Sequence, residues 1–310
     1  MIAKVQTVLG KIEPGELGVT YVHEHLLFNP PEPYRTEDPD LSLDSISTAV
    51  KEVGFFEAAG GDSIVEMSTV DLGRDPLGLR KISELTGVHV IAATGFNKGK
   101  FCEGLVADKS VQTLTDRMIQ DLTIGMDDTD IKAGLIKASS SKDKMTVGET
   151  KVFQAAVRAH LKTGAPISTH TEAGTLALEQ IQILVDGGVR PSSILIGHLD
   201  RKLERDYLFS IAKTGVYMGF DQICKEKYYP DLERIRLIKK LIEAGYGNQI
   251  VLSADMARRS YWPSYGFGKG PGLTYILWRF VPWMLEEGIS EQAVDVMLTQ
   301  NPKRLFSWID

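Results

Sequence analysis

The chain has 310 residues, 43% of them hydrophobic, and a formal net charge of -6. That length is within what one α/β barrel fills, so a single domain spanning 1-310 is expected, and the interspersed acids and bases argue against a nucleic-acid partner. The most apolar stretch, Tyr275 to Leu285, is broken by Arg279 and Pro282 and is far shorter than the ~20 residues of a membrane span.

The N-terminal residues Met1 to Gly10 lack the apolar core of a signal peptide. Two cysteines, Cys102 and Cys224, are too few for a disulfide framework and fit a reducing compartment. A cytoplasmic protein is the expectation.

The chain opens with a predicted β-hairpin, Ala3 to Leu17, turning at Glu13-Pro14-Gly15-Glu16. Eight β-rich runs follow: Gly18 to His25, Ser63 to Ser68, His89 to Thr94, Ala133 to Ala138, Pro166 to His170, Ser193 to His198, Val216 to Phe220 and Gln249 to Ser253. Between them lie amphipathic stretches such as Glu149 to Thr163 and Asp231 to Ala244, with apolar residues three and four apart. Strands alternating with helices indicate parallel βα units, and eight of them predict a closed (β/α)8 TIM barrel behind a short hairpin. Three longer irregular segments, 28–44, 96–109 and 256–272, follow the first, third and eighth strands, on the face where such barrels build their sites.

Metal-ligand residues stand at the carboxyl ends of these strands: His23 and His25, His170, His198 and Asp255. Residues two apart on a strand share a side, so His23 and His25 point into the barrel together, while Glu24 is expected to face the helices. A lone His-x-His pair means little; its repetition at other strand ends is what counts. The remaining histidines act as a control, His89 at the start of the third strand and His160 in a helix, both read as structural. Imidazoles with a carboxylate suit zinc or a similar divalent ion, with an open position for water. Lys137 ends the fourth strand, and two readings compete: it turns out to solvent, or its neutral amine carries a carbon dioxide adduct whose oxygens bridge two ions.

The runs Val22-His23-Glu24-His25, Ala93-Thr94-Gly95, Gly134-Leu135-Ile136-Lys137, Thr169-His170-Thr171, Gly197-His198-Leu199-Asp200 and Leu252-Ser253-Ala254-Asp255 together resemble the phosphotriesterase family of the amidohydrolase superfamily. The resemblance spans almost the whole chain. It implies two divalent ions, zinc first with manganese or cobalt as alternatives: His23, His25 and Asp255 on the more buried ion, His170 and His198 on the more exposed one. Carboxylated Lys137 and a hydroxide, the nucleophile, would lie between them. Asp255 is then the catalytic group that takes the proton and passes it to the leaving oxygen. Many similar family members hydrolyse lactones.

The loops bear on the substrate. Lys225 and Lys227 follow the seventh strand, Arg258, Arg259 and Tyr261 the eighth, and Lys98 and Lys100 the third. Barrels often bind phosphate with the loops after strands seven and eight, so a small anionic substrate, a phosphorylated sugar lactone, is expected. Some similar family members act on phosphorylated pentonolactones. Pairing of these cations with Asp221, Glu226 and Asp231 is the plain alternative. An esterase or lactonase for a neutral substrate, and a non-catalytic metal-binding barrel, are the competing functions. Asn97 and Lys98 stand where many lactone-hydrolysing relatives carry a tyrosine. Trp262, Tyr265 and Phe267 are read either as an apolar lid or as packing on the rim, and Trp278, Phe280 and Trp283 as core, with a homodimer surface as the alternative.

Overall fold

In the structure, a computed structural model describing residues 3–266 and 270–308, β1 (Val5–Thr7) and β2 (Gly10–Ile12) pair antiparallel with Thr7 opposite Gly10. The hairpin therefore turns at Val8 and Leu9, not at Glu13-Pro14-Gly15-Glu16. Gly10, with φ 115°, supplies the backbone freedom that the tight turn needs. The Pro-Gly segment forms a 3-10 turn instead, Pro14–Leu17, because Pro14 suits a first helical position and the Glu16 carboxylate accepts the Glu13 N–H at 2.6 Å.

Eight strands follow: β3 (Thr20–Glu24), β4 (Ser63–Glu66), β5 (His89–Gly95), β6 (Leu135–Ser140), β7 (Ile167–Thr171), β8 (Ile194–Gly197), β9 (Tyr217–Phe220) and β10 (Ile250–Leu252). Each pairs in parallel with its chain neighbour, giving one sheet in sequence order. It is a nearly closed barrel. Between β10 and β3 the described residues form no ladder, and the seam is drawn together by Glu24. Its buried carboxylate accepts from Ser253 Oγ at 2.7 Å and from the Ala254 and Met256 N–H groups, each at 2.8 Å. The expectation that Glu24 faces the helices is thus corrected: a register shift between Tyr21 and Glu24 breaks the plain alternation and turns the carboxylate into the seam.

Inside the barrel, Val22, Val65, Ile91, Leu135, Leu195 and Val251 pack on one another, and Val5, Leu17, Leu305 and Phe306 join them from the hairpin, the 3-10 turn and the last helix. Burying such surface stabilises by roughly 25 cal/mol per Å² of apolar area. The amphipathic segments become helices around the outside; Val147–Thr163 begins at a Thr146–Glu149 capping box and ends at Gly164, which adopts φ 82°. Tyr275 to Leu285 is helical despite Pro282, which follows a π segment, Ile276–Phe280, in the first turn of Val281–Glu286. Phe280 is core as expected, whereas Trp278 is 60% exposed. Among the described residues no helix is long and apolar enough to cross a membrane.

Candidate metal centre

Strand geometry brings the expected donors to one place. The His198 ring lies 4.6 Å from that of His23 and 4.4 Å from that of His170, centroid to centroid. His25 Nε2 is 3.4 Å from Asp255 Oδ1, and His23, His25 and Asp255 offer ligand atoms that all lie within 4.8 Å of one another. Lys137 shares its strand side with the interior residue Leu135, is buried, and sets Nζ 3.0 Å from His23 Nε2. Its side chain faces inward. His198 and Asp255 both hold positive φ, 59° and 49°, a conformation that costs energy in a residue with a Cβ and is common where a site demands a particular direction.

Outer partners decide which ring nitrogen each histidine presents. Asp221, just past β9, places Oδ1 2.7 Å from His198 Nδ1 and Oδ2 3.0 Å from His23 Nδ1, while Ser68 Oγ lies 2.8 Å from His25 Nδ1. All three rings therefore keep Nε2 for a ligand, which is the arrangement that orients metal-binding imidazoles. His23, His198 and Asp221 also have ligand atoms within 4.8 Å of one another. Their use of the Nδ1 side marks Asp221 as the orienting carboxylate.

The electrostatics fit cation binding. Burial, with Lys137 adding to it, pulls the His23 imidazole down to about 3, and burial beside His198 holds His170 well below its ordinary value, so both rings are neutral donors. Burial also lowers Lys137 to about 8, which leaves part of the amine in the neutral form that reacts with carbon dioxide. Burial alone would raise Asp255, yet the Lys225 ammonium, the His25 hydrogen bond and the neighbouring His198 and His23 together outweigh it and keep the carboxyl well below the usual carboxylate range. Neutral imidazoles and an ionised carboxylate are the donor set of a divalent-ion site.

Above this floor is a cavity of about 240 Å³. Lys98, Lys225, Lys227, Arg258 and Tyr261 line it, as do Lys100, Arg201 and Tyr228. Arg259 is not among its walls: it turns away to Asp44 at 2.8 Å and to the Ser42 carbonyl. Lys225 reaches the cavity, but its donors go to Gln222 Oε1 at 3.0 Å, the Asp255 carbonyl at 2.7 Å and Asp255 Oδ2 at 2.8 Å. An ammonium has three hydrogens, so Lys225 is committed to Asp255. Lys227 Nζ meets Tyr261 Oη at 3.1 Å, and Arg258 is held by Asp38 at 2.8 Å and Asp40 at 3.2 Å. The two arginines thus pair with acids of the first long loop, Lys225 with Asp255, Lys227 with Tyr261 and Lys98 with Glu172, and none of them with Asp221, Glu226 or Asp231. Trp262 is fully buried, its Nε1–H donating to the Met256 carbonyl at 3.0 Å, with the Tyr265 ring 5.9 Å away. Both pack on the rim, and Phe267 lies outside the described residues.

A model of the phosphotriesterase family matches residues 3–306. The chain belongs to the phosphotriesterase family. Among the family relatives, the phospho-furanose lactonase of Mycoplasmopsis synoviae is 33% identical, with 98% of this chain and 91% of the relative covered. An N-acetyltaurine hydrolase of Dictyostelium discoideum is 32% identical over 99% of both chains. The solved structure of the phosphotriesterase homology protein of Escherichia coli, with phosphate in its active site, superimposes with a TM-score of 0.89 at 36% identity, covering 94% of this chain and 99% of that one. This chain is accordingly a hydrolase of that family, with residue groups able to hold metal.

Sequence reasoning missed Asp221, Glu172, Arg201 and Tyr228. The first had a signal: it stands directly after a strand, as the other site residues do, but was read only as a partner for loop cations. Glu172 is two residues beyond His170, the same-side spacing that singled out His23 and His25.

Proposed function

We propose that this chain is a lactonase that opens a small phosphorylated sugar lactone, a pentono-lactone phosphate, at a binuclear metal centre. His23, His25 and Asp255 would hold the more buried ion and His170 and His198 the more exposed one, with Lys137, carboxylated by carbon dioxide, bridging them. Zinc is the expected ion, and manganese or cobalt the alternatives. When bound, such a pair supplies an activated water and polarises the carbonyl.

The chain's own residues do the rest. Asp255, kept ionised by Lys225, takes the proton of the attacking water and delivers it to the ring oxygen as the acyl C–O bond breaks, leaving a hydroxy acid. Asp221 and Ser68 keep the imidazoles in register. The observation that carries the substrate reading is the cavity itself: it is small, and Lys227, Arg258 and Tyr261 offer an anion-binding wall on the loops after β9 and β10. Two carboxylates, Glu172 and Asp255, line it against six cationic side chains. A long neutral acyl chain would find neither room nor charge complement there. The named substrate of the Mycoplasmopsis relative and the phosphate in the Escherichia structure support the same anion.

A screen of aldonolactones with and without terminal phosphate, followed by acid release, tests this reading. Phosphorylated lactones should be preferred, and a Lys227→Ala, Arg258→Ala double variant should lose that preference while still opening the unphosphorylated ones. An N-acyl amino sulfonate belongs in the same screen, because the Dictyostelium relative is named for one; faster turnover of that amide than of any lactone would overturn the lactonase reading.

A further inference from the structure

The cavity has a second polar face, which adjoins the one assigned to phosphate at Tyr228, whose ring centroid lies 5.0 Å from Lys227 Nζ. Three loops build it: Lys98 after β5, Glu172 after β7 and Arg201 after β8. Glu172 Oε1 accepts from Arg201 Nη1 at 2.9 Å, while Oε2 pairs with Lys98 Nζ and lies 3.3 Å from His170 Nε2. The Arg201 guanidinium sits 4.3 Å above the Tyr228 ring, and its buried Nε has no hydrogen-bond partner among the described residues. The Tyr228 stack and the Glu172 hydrogen bond together fix the guanidinium in the cavity wall.

The chemistry of this wall differs from that of the other. Lys227 and Arg258 present cationic donors with the Tyr261 hydroxyl between donor and acceptor roles, and no carboxylate among the three. Here a carboxylate that retains acceptor capacity is set beside a guanidinium that retains donors, with an aromatic face behind them. That pairing matches a hydroxyl, which donates and accepts at once, better than it matches an anion, which Glu172 would repel. Its distance from His170 places it on the acyl side of a lactone whose phosphate lies toward β9 and β10.

We propose that Glu172 and Arg201 form a hydroxyl-reading subsite that makes the enzyme selective for lactones bearing a hydroxyl on the carbon next to the carbonyl. This rests on the lactonase reading and assigns recognition of that substrate's 2-hydroxyl to two named side chains. Lys98 is a positioning residue here, holding Glu172 Oε2 so that the carboxylate faces the cavity.

The test uses four probes: a pentono-1,4-lactone and its 2-deoxy counterpart, each with and without a 5-phosphate. Wild-type kcat/KM should favour the 2-hydroxy member of each pair by about tenfold or more, because the 2-deoxy lactone leaves both polar groups unpaired. In Glu172→Gln and Arg201→Lys the ratio should fall toward one, in enzyme whose melting temperature and metal content match the wild type. A clamp that merely ties three loops together would change all four rates alike and preserve the ratio, which would overturn the assignment. So would a wild-type ratio near one, a result that needs no variant to fold and leaves the lactonase reading standing. If the wild type opens none of the four, the lactonase reading itself falls and takes this subsite with it.

Discussion

The floor of the site and its rim are built on different principles. Floor donors come from strand ends, where ladder pairing fixes the backbone and short outer contacts hold the rings: Asp221 beside His23 and His198, Gln222 also beside His198, and Ser68 beside His25. Rim residues come from long loops and are fixed by residues far away in sequence. Arg258 depends on Asp38 and Asp40, some 220 positions earlier, and Ser264 and Leu273 of the same loop are tied to Glu52. A floor of this kind keeps its chemistry while the rim changes what it admits, which is how one barrel serves many substrates.

Substitutions in the floor should therefore cost rate with every substrate, and those in the rim should cost affinity with one class. The largest effect is expected for Asp255→Ala, which under the proposed mechanism would remove a metal donor and the proton acceptor together; kcat should drop by about 10²–10⁴ or more on phosphorylated and plain lactones alike. Asp221→Asn should come next, weakening metal affinity or activity about 10–100-fold, read by titrating ion into stripped protein. Arg258→Ala should raise KM for phosphorylated lactones by about tenfold with little change for plain ones. A floor variant that discriminates between substrates, or a rim variant that does not, would blur the contrast.

The smallest effect is a pH dependence at the rim. Burial, with Lys100 and Arg201 nearby, lowers Lys98 to about 8. Its charge is present below that pH and lost above it, so affinity for an anionic lactone should weaken modestly as pH rises through about 8. Lys98→Arg, which stays charged across that window, should flatten the KM profile. An unchanged inflection in that variant would assign it to another group.

The same contrast explains what could be read from sequence. Eight apolar runs, five of them ending in candidate ligands, made barrel and floor legible together, because strand period and strand-end position are local properties. The hairpin turn was misplaced because Pro14-Gly15 suits a 3-10 turn as well as a hairpin, and the choice was made by the Glu13–Glu16 capping contacts. Glu24 was assigned to the wrong face because a register shift at Tyr21–Glu24 is invisible to a two-residue period. Lys225, expected to meet the substrate, does line the cavity, but nothing in the sequence says that its three hydrogens go to Gln222 and Asp255. Arg201 and Glu172 acquire meaning only when three loops meet.

The central claim is that buried imidazoles, Lys137 and Asp255 hold a pair of ions that make water reactive. Metal analysis of active, freshly purified protein, with intact mass recorded under conditions that preserve carbon dioxide adducts, addresses it most directly. Two divalent ions per chain and a labile adduct on Lys137, both lost with activity on chelation and restored by ion plus bicarbonate, are the predicted result; full activity in protein free of metal would contradict it.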